Sequence, residues 1–230
     1  MLLEKRLSTL ILIFCLVFIT SMAVAQRPFK GRIIYNITYA GSNIDLAELQ
    51  ELPNQSVILT KNNLVRNEMT GENASLNQIK ISDANTGEVS TMLEILREKY
   101  VVTRSAQDIQ TALRNMPQPE LEFTNQTREI LGYTCRRVIA RVTDDMGVEH
   151  ESDIYYTDEI PGEAFNFDSP YHEIPGLMLE YELRVGPLNI QYEAQSVRRR
   201  WIVGGRNFFV TRDYERVTYN ELRQMLQSNF

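Results

Sequence analysis

Leu177-Met178-Leu179-Glu180-Tyr181-Glu182-Leu183-Arg184-Val185 is the stretch that decides the fold. Leu177, Leu179, Tyr181, Leu183 and Val185 alternate with Met178, Glu180, Glu182 and Arg184. A repeat of two is the period of an extended strand with one face buried and the other wet. Working outward, Leu188 to Val203 and Asn207 to Thr211 flank Gly204-Gly205, a composition that predicts a hairpin turn. Upstream, His150 to Thr157 follows the turn-like run Asp144-Asp145-Met146-Gly147. Glu129 to Val142 reads as one long strand whose phase slips. Tyr133 and Cys135 share one parity, and Val138, Ala140 and Val142 share the other, which predicts a bulge at Arg136-Arg137.

The front half follows the same rule. Ile33, Tyr35, Ile37 and Tyr39 fall on one face of a strand over Phe29 to Tyr39. Val57 to Thr60 and Leu64 to Met69 flank Lys61-Asn62-Asn63, and Gln78 to Ser82 and Glu88 to Ile95 flank Asp83-Ala84-Asn85-Thr86-Gly87. Tyr100 to Arg104 continues the meander. Two helices carry start signals, Ser105-x-x-Asp108 and Thr218-x-x-Glu221, each a capping box ahead of an apolar stripe. Strands joined by short turns predict an antiparallel meander rather than βαβ units. The expected fold is therefore mainly β: a curved antiparallel sheet (half-barrel or open barrel) of about ten strands with two short α-helices.

The chain has 230 residues, 43% hydrophobic, with 21 aromatic side chains, which excludes a disordered chain. Residues 1–25 read as a signal peptide, with Lys5 and Arg6 ahead of an apolar run and Ala23-Val24-Ala25 at a small-x-small cleavage site. Residues 26–230 then form a single antiparallel β-rich domain with no transmembrane span after cleavage. The implied location is the periplasm, the cell surface or the extracellular space. Net charge moves from −6 to −7 when Glu4, Lys5 and Arg6 leave, and Cys135 becomes the one remaining thiol. An acidic balance argues against a nucleic-acid partner, which demands a Lys/Arg surplus, and disfavours electrostatic docking on anionic membranes.

No catalytic, cofactor-binding or metal-ligating set is expected. Cys135 reads as a small buried hydrophobe. His150 and His172 lie in acidic, turn-like stretches without the partners zinc needs. Asp83, Asn85 and Gly87 echo a calcium loop, but Gly87 and Glu88 stand at its fifth and sixth positions, which leaves a hairpin turn. Arg198-Arg199-Arg200 precedes Trp201, yet alternate residues of a strand point to opposite sides, so the three do not form one patch.

Three segments carry a family likeness. Arg128-Glu129-Ile130-Leu131-Gly132-Tyr133-Thr134-Cys135-Arg136-Arg137 resembles a "K-E-I-x-G-Y-x-C-K-K" segment, Tyr156-Thr157-Asp158-Glu159-Ile160-Pro161 a "Y-T-x-E-I-P" segment, and Ile174-Pro175-Gly176-Leu177-Met178-Leu179-Glu180 a Gly-Leu-Pro-Gly-Leu-Ile segment. Together, over Arg128 to Val185, they resemble the GLPGLI family of exported bacterial β proteins, with Glu173-Ile174 in place of the first Gly-Leu. The resemblance implies an envelope location and a likeness to the lipoprotein-carrier (LolA/LolB-like) half-barrels, in which a curved sheet and covering helices enclose an apolar cavity. It carries over no catalytic residue.

The expected function is non-enzymatic: binding or carrying a hydrophobic ligand, a lipid or lipidated peptide, in a cavity lined by Ile33, Tyr35, Ile37, Leu177, Leu179, Tyr181 and Leu183. The alternative is an envelope scaffold that holds a protein partner through a sheet edge or through the Phe165–Tyr171 loop, with Phe165 and Phe167 as aromatic anchors.

Overall fold

The computed structural model describes residues 28–41, 46–72, 76–95, 98–144, 147–186 and 188–229. The expected signal peptide lies outside them. The described strands are β1 (Gly31–Gly41), β2 (Gln55–Lys61), β3 (Leu64–Thr70), β4 (Leu76–Asp83), β5 (Glu88–Ile95), β6 (Glu98–Arg104), β7 (Glu120–Ile130), β8 (Tyr133–Thr143), β9 (Glu149–Pro161), β10 (Gly176–Val185), β11 (Leu188–Arg199) and β12 (Glu215–Arg216). All belong to one sheet, in the order β12-β6-β5-β4-β3-β2-β1-β11-β10-β9-β8-β7. Each pairing is antiparallel except the two-residue β12, which runs parallel to β6. The sheet is curved and does not close on itself. Two meanders meet where β1 pairs with both β2 and β11.

The fold is the mainly β, curved antiparallel sheet that the alternation predicts, with twelve strands rather than about ten. The described helices are four rather than two: α1 (Leu46–Gln50), α2 (Ala106–Arg114), α3 (Glu163–Asn166) and α4 (Tyr219–Asn229). Both capping boxes form. Ser105 and Asp108 exchange bonds at the start of α2, and Thr218 and Glu221 do so ahead of α4. Among the described residues, no helix is long and apolar enough to cross a membrane.

Three local readings change. The segment expected as one long strand with a phase slip is split between β7 and β8 by a tight turn at Leu131-Gly132, where φ is 53° and 80°. Two successive left-handed residues are the geometry of a type I′ hairpin turn, whose twist matches that of the strands it joins. The bulge lies on β7, where the register jumps from Phe123 to Thr127 while β8 advances only from Val138 to Arg136. Asn207 to Thr211 is no strand. Residues 200–214 form a strap with a 3₁₀ turn at Gly205–Phe208, and the strap lies across the sheet. Finally, Met178 is buried, because β10 shifts register against β9 between Met178 and Glu180 and resets the parity there, and Val185, the last residue of the strand, is exposed.

The register defines two faces. Tyr35, Ile58, Asn67 and Lys80 share one, here the hollow face; Leu59, Ile81, Met92 and Val101 share the other, the strap face. On the strap face, Val203 and Phe208 pack against Ile81, Met92 and Val101. On the hollow face, Ile33, Tyr35, Ile37, Ile58 and Tyr192 join Leu177 and Leu179 in the largest cluster. Val138, Ile154, Tyr156, Tyr171, Ile174 and Met178 form the cluster next to it. Each such side chain contributes about 1.5–3 kcal/mol on leaving water.

Candidate functional site

α3 and the turns after it are held over the sheet by one buried amide. Asn166 donates to the carbonyls of Ile174 (2.9 Å) and Gly176 (3.0 Å). The chain approaches itself so closely here that side chains are excluded. A Cβ on Gly176 would stand 2.2 Å from the Thr157 carbonyl oxygen, and one on Gly162 would stand 2.4 Å from the Gly176 oxygen. The Ile174-Pro175-Gly176 segment thus works as a backbone clasp that seats α3.

Beneath α3 lies a hollow of about 170 Å³. One wall is aromatic and aliphatic: Tyr35, Leu177, Tyr181, Leu183 and Tyr192. Tyr181 and Tyr192 stack at 4.7 Å with an interplanar angle of 3°, and Tyr35 meets both edge-on. Such contacts add about 0.5–1.5 kcal/mol beyond area burial. The Tyr35 hydroxyl donates to the Met178 carbonyl at 2.7 Å. Burial holds the hydroxyls of Tyr35, Tyr181 and Tyr192 above the ordinary tyrosine range, so all three stay neutral.

The facing wall is mixed: Ile58, Val65 and Met69 share it with a polar set. Asn67, Gln78, Lys80 and Ser82 of β3 and β4 line it. Lys80 bonds Asp168 at 2.8 Å, and the Asp168 carboxylate is only 3% exposed. Asn67 Oδ1 accepts from the Ser56 hydroxyl at 2.7 Å. The hollow therefore offers flat rings on one side and hydrogen-bond donors on the other.

Of the seven residues expected to hold ligand, Tyr35, Leu177, Tyr181 and Leu183 line this hollow. Ile33, Ile37 and Leu179 are buried in the adjoining cluster without lining it. The polar set and Asn166 escaped the sequence reading. Gln78-Ile79-Lys80-Ile81-Ser82 alternates cleanly, and that pattern by itself assigns the polar set to water. The strap covers the isoleucine side, and α3 with the turn after it covers the polar side.

The remaining candidates resolve as follows. Cys135 is fully buried, and burial pushes its thiol up to about 11, so it is inert at neutral pH. His150 is hydrogen-bonded to Asp144 at 2.9 Å and accepts from Arg184 at 3.0 Å. Asp83 to Gly87 is the β4–β5 turn, closed by the Gly87 amide on the Asp83 carbonyl at 2.8 Å. Among the described residues, no group of three or more His, Cys, Asp or Glu could hold a metal ion. In the Phe165–Tyr171 loop, Phe165 packs on Phe29 and the core, and the buried Tyr171 donates to the Glu182 carbonyl at 2.7 Å.

No protein-family model matches the chain, and no curated protein matches it by sequence. Two crystal forms of PNGF-II are similar in structure. The P21 form aligns at a TM-score of 0.51 and 15% identity over 86% of this chain, and the C2 form at 0.46 and 17% over 85%. The chain spans about a third of PNGF-II, 33% in each comparison. At that identity the first likeness concerns the fold alone: one segment of a longer known protein bends a sheet in the same way.

Proposed function

We propose that this protein is an exported, non-enzymatic binding protein that seats a compact ligand in the hollow beneath α3. One observation carries the reading. Four residues marked by strand parity as ligand-facing converge on a cavity whose opposite wall supplies Asn67, Gln78 and Lys80. Volume narrows the ligand class. An apolar cavity of roughly 150 Å³ takes one benzene, and drug-sized ligands need about 300–1,000 Å³. The hollow accordingly suits a single ring or a short aliphatic group with one polar end. A lipid or lipidated peptide enters only by a short acyl terminus, with its polar end toward Lys80. The resemblance of Arg128 to Val185 to exported β proteins supports the envelope location.

Mass spectrometry of organic extracts from the purified protein tests this, paired with thermal shifts against short-chain fatty acids and aromatic alcohols. A co-purified small molecule, or a shift lost in Tyr181→Ala, supports the proposal. No extractable molecule together with no shift from any of these probes overturns it.

A further inference from the structure

The acidic balance of the chain conceals a local reversal. Between Arg198 and Arg216 stand six arginines and only two carboxylates, in a chain of net charge −6. This is the end of β11 and the strap that follows. Arg200 takes the left-handed region at φ 62°, and its amide donates to the Lys30 carbonyl at 2.9 Å, which turns the chain off the sheet. Immediately after this turn come Trp201, 39% exposed, and Ile202, 91% exposed, the most exposed of the large hydrophobic residues described.

The arginines sort by face. Arg199 is engaged inward: it donates to the Glu159 carbonyl at 3.0 Å and stacks on Phe29 and Tyr133. Arg32 and Arg198 sit opposite one another across the β1–β11 ladder. Their guanidinium groups flank the Trp201 ring at 5.6 and 5.7 Å. Neither forms an ion pair among the described residues, whereas Arg66, Arg128, Arg136, Arg137, Arg141 and Arg184 all do. The result is an indole beside two guanidinium groups that form no ion pair among the described residues, with the exposed Ile202 next to it.

We propose that the Trp201–Ile202 tip is a docking surface for an anionic lipid membrane. Ile202 enters the acyl boundary, Trp201 lies at the headgroup level where amphipathic rings partition, and Arg32 and Arg198 bind lipid phosphates. The charge of the whole chain does not oppose this. At physiological salt the Debye length is about 8 Å, so the membrane feels the nearest arginines and little of the distant carboxylates. A free, highly exposed aliphatic tip distinguishes a membrane from an acidic protein or nucleic acid, which uses the cations and leaves Ile202 idle. The surface lies apart from the hollow, so it stands or falls independently of ligand binding there.

Trp201 is the sole tryptophan of the chain, so its fluorescence reports this site alone. The exported chain, recovered without detergent, is titrated with vesicles of phosphatidylglycerol mixed with phosphatidylcholine, and with phosphatidylcholine vesicles alone. The anionic vesicles should shift Trp201 emission to the blue, brominated acyl chains should quench it, and salt should reverse both. Ile202→Asp should weaken partitioning tenfold or more, by the rough scale of one buried aliphatic side chain. Arg32→Gln with Arg198→Gln should weaken it about thirtyfold, at about a factor of five per arginine. Unchanged circular dichroism melts certify that the variants are folded. Two results overturn the proposal: no preference for anionic vesicles, or an Ile202→Asp variant that binds as the parent does. In the second case, equal binding to heparin or an oligonucleotide would identify an acidic macromolecule as the partner.

Discussion

The two meanders of this sheet are covered differently, because the second buries residues on both faces: Val65, Val89, Leu93 and Val102 on the hollow face, and Ile81, Met92 and Val101 under the strap. In β1 and β8–β11 the apolar residues point to the hollow face, where Tyr35, Tyr192, Val138 and Ile154 make the main core. At β3 and β4 the hollow face carries Asn67, Gln78, Lys80 and Ser82 beside Val65 and Met69, and the isoleucines Ile79 and Ile81 lie under the strap. The difference explains why a hollow exists. An apolar wall facing an apolar wall would close to interior packing density. An apolar wall facing hydrogen-bonding groups does not, because burying those groups unpaired costs about 1–3 kcal/mol each. The strap makes the arrangement tolerable by giving the second meander a core of its own.

Breaking each half separately tests this division. The largest effect is expected in the first half, at the clasp. Gly176→Ala drives a Cβ into the backbone oxygen of Thr157, and no side-chain movement relieves that clash. The expected loss is on the order of 4 kcal/mol, among the large values reserved for backbone strain, or about 8–16 °C in Tm at this chain length. A melt within a few degrees of the parent would show that the strand pair separates easily at this point. Next comes the strap. Phe208 is 8% exposed against Ile81, Met92 and Val101, and Phe208→Ala should cost about 3 kcal/mol. If the halves are energetically distinct cores, the double variant loses the sum to within about 0.5 kcal/mol. A clear departure from additivity in urea melts would mean that the sheet unfolds as one packed body.

These particulars show what was legible in the sequence. Alternation announced the strands correctly, since Leu177 to Val185 and Gln78 to Ser82 are both extended. It could not say which of two unlike faces meets water, because that depends on the strap, a segment far away in sequence. The phase slip in Glu129 to Val142 was a real signal with two readings. A two-residue turn at Leu131-Gly132 and a one-residue bulge both reset parity, and Leu131 is a poor advertisement for a left-handed φ. On the aromatic side, parity found four hollow residues. Ile33, Ile37 and Leu179 share that alternation but pack one layer away, a distinction made by the bend of the sheet. Asn166 left no periodic trace, since its role rests on two backbone carbonyls brought to it by the clasp.

A smaller effect is expected where the halves meet, across the hollow. Lys80 belongs to the second meander and Asp168 to the turn following α3. Lys80→Met leaves a nearly buried carboxylate without its cation. Full burial of such an orphan costs about 3–5 kcal/mol; with Lys80 itself 27% exposed, about 1–2 kcal/mol is expected. Adding Asp168→Leu should restore most of it. If the single variant is as stable as the parent in urea, the ion pair serves ligand recognition alone.

The smallest effect concerns the latch on the strap and is read by titration rather than by melting. Lys99 of β6 donates to Asp213 at 2.7 Å. That bond first, and then bonds from the Thr211 hydroxyl and from Asp213's own amide, hold the carboxyl down to about 2. A group whose folded value is depressed stabilises the fold above its unfolded value, here about 3.9, and that stabilisation disappears as pH falls through about 2. Carbon-detected NMR should therefore find Asp213 still ionised at pH 3. Lys99→Met should move its midpoint toward 4 and leave Tm at pH 7 unchanged, because exposed pairs contribute little net stability. An Asp213 midpoint already near 4 in the parent would mean that Lys99 does little to latch the strap, whose hold on the second meander then rests on the packing of Val203 and Phe208 and on the Arg66 bond to the Asn207 carbonyl.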